Sequence, residues 1–127
     1  MTSGAQKPIE IRSLQKRADF LALRKAKPGS LKVSTNGFLL IGAPATRATP
    51  ADNSARFGLT VTRKIGHAVC RNHIKRRLRA AILISAPLLA KPGYDYVLIA
   101  RLAARAMPFE ALVADLKRGL AKAPKPT

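Results

Sequence analysis

Acidic residues are scarce in this chain: six Asp and Glu stand against 24 Lys and Arg in 127 residues, a formal charge of +18. The six, Glu10, Asp19, Asp52, Asp95, Glu110 and Asp115, are scattered along the sequence. A two-metal nuclease needs clustered carboxylates, so this pattern proposes no such centre. Tryptophan is absent, and the single cysteine, Cys70, excludes an internal disulfide framework and suits a reducing compartment. Long apolar runs are also missing. The longest, AAILISAPLLA from Ala80, contains Pro87 and falls short of the roughly 18–20 residues a spanning helix needs. The N-terminal stretch MTSGAQKPIEIRSLQKR has no apolar signal core. The expected location is cytoplasmic, with no membrane association. No G-x-x-x-x-G-K-[ST] loop and no G-x-S-x-G elbow occurs, which removes two common catalytic frameworks.

What remains is a basic chain with enough apolar material to fold. Hydrophobic residues make up 47% of it, and its length fits one domain. A charge of +18 opposes compaction by self-repulsion, and a polyanion is the usual remedy. Nucleic acid is the commonest such partner; an acidic membrane surface is the weaker rival.

Punctuation and periodicity divide the chain into residues 1–12 as a loose arm, 13–121 as one domain, which the charge marks for binding RNA or another polyanion, and 122–127 as a disordered basic tail. A helix is expected from Ser13 or Ala18 to a stop before Pro28-Gly29. Gly37–Gly42 reads as a buried strand and Ala43–Ala55 as a flexible loop. Arg56–Lys64 alternates, with Phe57, Leu59 and Val61 inward and Gly58, Thr60, Thr62 and Lys64 outward, as in a half-buried strand with a polar, basic outer face. A long helix follows from His67 to about Ser85, then a break at Pro87 and Lys91-Pro92-Gly93, then a strand over Tyr94–Arg101. Pro108 suits a first helical position, and Phe109, Leu112, Val113, Leu116 and Leu120 give an amphipathic closing helix. The expected fold is α+β, a two-layer α/β sandwich in the order α-β-β-α-β-α. The two strands flanking the long helix can be parallel neighbours, and base physics favours a right-handed crossover between them.

The long helix carries the chemistry. At about 100° per residue, Cys70, Ile74, Leu78, Ala81, Ile82 and Ser85 share one face. Arg71, Asn72, Lys75, Arg76 and Arg79 form the adjoining face, with Arg71, Lys75 and Arg79 as successive i, i+4 neighbours. No acid lies between Asp52 and Asp95 to offset them. Ordinary solvated faces mix both signs, whereas a single-sign row of arginine forks matches phosphate oxygens. Asn72 can bond a base edge, a 2′-OH or a metal-bound water, or simply face solvent. His67, Cys70 and His73 are spaced like metal ligands on paper, but on a helix the two imidazoles point about 120° apart. The spacing is read as coincidence and Cys70 as a small core residue.

RFGLTVTRKIGHAVCRNHIKRRLRAAI, residues 56–82, resembles the signature of the bacterial ribonuclease P protein subunit. There a strand of the type G-L-x-V-x-[RK]-K-[IV]-G runs into a helix beginning A-V-x-R-N-R-x-K-R-x-x-R. LQKRADFLAL resembles that family's first helix, DYVLIAR its last long strand and FEALVADLKRGL its closing helix, so the resemblance spans nearly the whole chain. His73 stands where the family's R-N-R has its second arginine, and Arg24 stands where many members carry an aromatic.

The resemblance implies a left-handed βαβ crossover, against the base expectation. It implies a protein that partners a large catalytic RNA, the two together cutting the 5′ leader from precursor tRNA. The active site and its Mg2+ then belong to the RNA, and no catalytic residue to this chain. Arg71, Asn72, His73, Lys75, Arg76 and Arg79 would bind the RNA subunit. A cleft between the first helix and the sheet would hold the leader on Phe20, Arg24, Thr60, Thr62, Arg63 and Lys64, a mixture of aromatic, small polar and cationic groups suited to single strands. No metal site and no obligate protein partner is expected of the chain itself. A structural RNA-binding protein of the ribosomal type fits composition and charge equally well, and only the motif order disfavours it.

Overall fold

The computed structural model describes residues 9–14, 23, 29–44 and 54–122. Five strands form one mixed sheet: β1 (Glu10–Ser13), β2 (Leu31–Ser34), β3 (Phe38–Pro44), β4 (Ser54–Thr60) and β5 (Tyr94–Ala100), in the spatial order β1-β4-β5-β3-β2. β4 runs parallel to both β1 and β5; β3 is antiparallel to β5 and to β2. Helix α1 (Ala68–Leu89) connects the parallel pair β4 and β5, and helix α2 (Phe109–Ala121) closes the domain. The α+β class and the paired strands around the long helix are as the sequence indicated.

Both helices pack on one sheet face. Ile74, Leu78, Ala81 and Ile82 of α1 and Leu112, Leu116 and Leu120 of α2 are buried against Phe38, Leu40, Phe57, Tyr96 and Leu98. Strand alternation turns Arg56, Gly58 and Thr60 to the opposite face. There Leu14, Leu23, Ile41, Ala43 and Val97 form a second cluster, with Leu39 and Ile99 packed against it. Leu23 is itself helical. The rest of the expected first helix, including Lys16, Phe20, Arg24 and Lys27, lies outside the described residues, as do most of the expected loop and the basic tail.

Several boundaries differ from expectation for physical reasons. Residues 10–12 are not part of a loose arm. Glu10–Ser13 pairs with Ser54–Phe57, and flanking bonds secure it from Ile9 N–H to Pro87 O (2.8 Å) and from Leu14 N–H to Phe57 O (2.9 Å). Strand β2 is an element the periodicity missed. It forms a hairpin with β3 whose turn is locked by Thr35: its hydroxyl donates to Phe38 O (2.8 Å) and accepts from Phe38 N–H (3.1 Å). Gly42 does not end β3. It lies opposite Tyr96, and a Cβ there would stand 2.6 Å from the tyrosine ring. The strand therefore runs on to Pro44, and Ser54 and Ala55 belong to β4 rather than to a loop.

Pro87 does not break α1 either. It falls in the last turn, where its missing N–H removes one bond and the next cap, Ala90 N–H to Ala86 O, still forms at 2.9 Å. Lys91 then reaches back to the end of α2, its Nζ donating to the carbonyls of Leu120 and Lys122 at 3.3 Å each.

Tyr96 is fully buried, stacked on Phe57 at 4.7 Å between ring centroids, and its Oη accepts the Lys91 N–H at 2.9 Å. Burial pushes its phenol from 10.0 to about 12, the Lys91 bond pulling weakly the other way. Because the folded value is raised, the stabilisation this group contributes is intact below pH 10.0 and is lost as pH rises through about 12. Urea unfolding at a series of alkaline pH values should show stability falling across that window. Tyrosinate absorbance should show Tyr96 resisting ionisation until the fold gives way; ionisation near pH 10.0 with the fold intact would contradict its burial.

Candidate nucleic-acid interface

β4 ends at Thr60, earlier than the alternation suggested. Arg63–Ile65 forms a single 3-10 turn, and Gly66, at φ +153°, redirects the chain in a conformation that favours glycine. Thr62, Arg63 and Lys64 are therefore exposed on a turn rather than aligned along a strand face. Only Thr60 of the expected cleft residues on β4 sits on the sheet. It is half-buried and opposite Ile99, beside the cluster that holds Leu14 and Leu23. Phe20 and Arg24, the other half of that cleft, lie outside the described residues.

The basic helix is as expected in outline. Ile74, Leu78, Ala81, Ile82 and Ser85 are buried and Cys70 is half-buried. Asn72, Arg76 and Arg79 are exposed; Arg71, His73 and Lys75 are half-buried. Arg77 is the exception within the basic run. Its Nη2 donates to the backbone carbonyl of Met107, tying α1 to the segment before α2. Nothing in the sequence spacing marks this contact, since the acceptor is a backbone atom 30 residues away. Arg77→Ala should cost about 1–3 kcal/mol of stability, the price of a lost charged hydrogen bond. The salt dependence of RNA binding should not change; a smaller salt slope would place Arg77 on the nucleic acid instead.

Three of the described acids are engaged by arginines away from the basic face. Glu10 accepts from Arg12 Nε at 2.8 Å, Asp95 is bound to Arg56, and Asp115 pairs with Arg118. The Arg12 guanidinium holds the Glu10 carboxyl below its ordinary range. Among the described residues no carboxylate forms an ion pair with Arg71, Lys75, Arg76 or Arg79. The face therefore keeps its positive potential for an external polyanion.

Grooves flank α1 on both sides. On one side Lys75 and Arg79 overlook β1 and β4. On the other, His67, Cys70, His73 and Arg76 line a groove of about 540 Å³ that Arg105 also reaches. His67 is not helical: α1 begins at Ala68 and His67 is its extended cap, so the separation of about 120° expected on a helix does not hold. The two imidazoles thus share a groove, although no three His, Cys, Asp or Glu side chains among the described residues come together as a metal site. Arg105 was not singled out by the sequence, because it follows β5 and joins α1 only in three dimensions.

A small mixed sheet with an acid-free basic helix across one face defines a class of compact α+β proteins. The comparisons specify the family. The profile of the Ribonuclease P family matches residues 10–124. The ribonuclease P protein component of Ruegeria pomeroyi is 43% identical over 117 residues, covering 89% of this chain and 88% of that protein. The one from Paramagnetospirillum magneticum is 41% identical over 110 residues, covering 84% and 78%. The solved RNase P protein of Staphylococcus aureus aligns with a TM-score of 0.68 at 26% identity, covering 89% of this chain and 97% of that one. The RNase P protein from Thermotoga maritima has the same fold, with a TM-score of 0.68 at 24% identity over 87% of this chain and 96% of that one. The chain belongs to the ribonuclease P protein component family. No helix among the described residues is long and apolar enough to cross a membrane.

Proposed function

We propose that this chain is the protein subunit of a ribonuclease P ribonucleoprotein. It binds the catalytic RNA subunit and the 5′ leader of precursor tRNA, and so assists removal of the leader to give the mature tRNA 5′ end. The observation that carries the reading is the outward row Arg71, Asn72, Lys75, Arg76 and Arg79 on α1, with no ion pair to any described carboxylate. A rigid helix presenting arginine forks suits a folded RNA backbone. Family membership supports the identity of that RNA.

The fold supports a division of labour. α1 covers one sheet face; Thr60 and the Leu14–Leu23 cluster occupy the other. Thr62, Arg63 and Lys64 lie on the turn between them. On this reading the RNA subunit meets α1 and the leader runs along the opposite face, where Phe20 and Arg24 would complete the groove. On this reading the magnesium that supports cleavage is held mainly by the RNA. This chain's residues bind and orient RNA.

The rival is a structural RNA-binding protein of the ribosomal type. RNA crosslinked to the chain in cells separates the two. Enrichment of ribonuclease P RNA is expected; enrichment of ribosomal RNA alone would replace this reading.

A further inference from the structure

Between the edge strand β1 and helix α1 lies a groove of about 490 Å³, within the size range of small-ligand sites. Its lining is of two kinds. Ile11, Leu59, Ile82 and Leu83 supply apolar surface, while Lys75 and Arg79 stand along α1, one turn apart, and Arg12 on β1, held by Glu10, faces them. Leu83 is 66% exposed, one of four large apolar side chains that this helix exposes, with Val69, Ile84 and Leu88, and it is the one that lines the groove. Neither Lys75 nor Arg79 is ion-paired among the described residues.

Apolar surface beside unpaired cations is the chemistry of a nucleotide site, with a base over the apolar side chains and phosphates on the charges. We propose that this groove holds one unstacked nucleotide of a bound RNA, its base over Leu59, Ile82 and Leu83 and its flanking phosphates on Lys75 and Arg79. The proposal rests on the RNA-binding reading above and adds a base-contacting site to what would otherwise be backbone contact alone. An acidic peptide pairing along β1 is the competing occupant. On the strand side Arg12 is engaged by the Glu10 carboxylate at 2.8 Å, which disfavours an acidic peptide along β1, while Lys75 and Arg79 stand on the α1 side; this favours RNA.

The test uses the full chain with ¹³C-labelled Ile and Leu methyl groups. A short single-stranded oligoadenylate is titrated in, followed by an abasic ribose-phosphate oligomer of equal charge and then an acidic peptide. The groove methyls of Ile11, Leu59, Ile82 and Leu83 should shift with the oligoadenylate and not with the abasic chain. Leu83→Asp, a change at an exposed position, should weaken oligoadenylate binding about tenfold. Equal shifts with the abasic chain, shifts with the peptide alone, or silent methyls would each overturn the proposal. Binding of ribonuclease P RNA is measured in parallel. If it fails while the groove methyls still respond to oligoadenylate, the partner assignment falls and the groove stands. If it succeeds while they stay silent, the groove proposal falls alone.

Discussion

Asp95→Ala is expected to cost about 3–5 kcal/mol, a large share of the stability of a domain this size. Asp95 and Arg56 are directly opposed in the parallel pair β4 and β5, and both are buried. The pair is bidentate, with Arg56 Nε donating to Oδ1 at 2.8 Å and Nη2 to Oδ2 at 2.5 Å. Removing the carboxylate takes from a buried guanidinium the counter-charge that Asp95 supplies, which is what makes breaking a buried pair costly. Replacing both partners avoids that penalty, so Arg56→Met combined with Asp95→Leu should recover most of the loss. Urea unfolding of the single and double variants checks this. A loss below about 1 kcal/mol for Asp95→Ala would mean that water reaches the pair.

The second large effect is on RNA. Arg71→Ala, Lys75→Ala and Arg79→Ala combined should lower affinity for ribonuclease P RNA on the order of 10²-fold near physiological salt, and reduce the slope of log affinity against log salt by roughly 3. Arg71→Ala alone should reduce it by roughly 1. These side chains are exposed or half-buried, and their loss relieves like-charge repulsion along one helix edge, so thermal stability should hold or rise. Filter binding over a salt series reads both quantities. An unchanged slope with weaker binding would show that the helix acts through shape rather than phosphate contact.

The contrast between these experiments follows what the sequence could reveal. The buried face of α1 was legible because Ile74, Leu78, Ala81, Ile82 and Ser85 repeat at helical spacing, and the outward cations were legible because no acid interrupts them. Leu112, Leu116 and Leu120 identified α2 in the same way. The Arg56–Asp95 pair was not legible: it joins two strands through a register that only the assembled sheet sets. β1 was hidden because Glu-Ile-Arg-Ser has one apolar residue in four, too few for periodicity, and is held by pairing with a strand more than 40 positions away. Gly42 looked like a strand boundary until Tyr96 was seen to need the space. The tie from Arg77 to Met107 was not legible either, since its acceptor is a backbone carbonyl 30 residues away. The grooves beside α1 combine side chains from distant parts of the chain, so only their helical members could be named beforehand.

The most direct measurement is reconstitution. The purified chain is added to a bacterial ribonuclease P RNA at low magnesium, and cleavage of a 5′-leader-bearing precursor tRNA is followed. Marked stimulation is expected with the chain as it stands. It should be reduced by the triple helix variant, with no cleavage by the protein alone. A precursor cut no faster with the protein than without it would contradict the account at its centre.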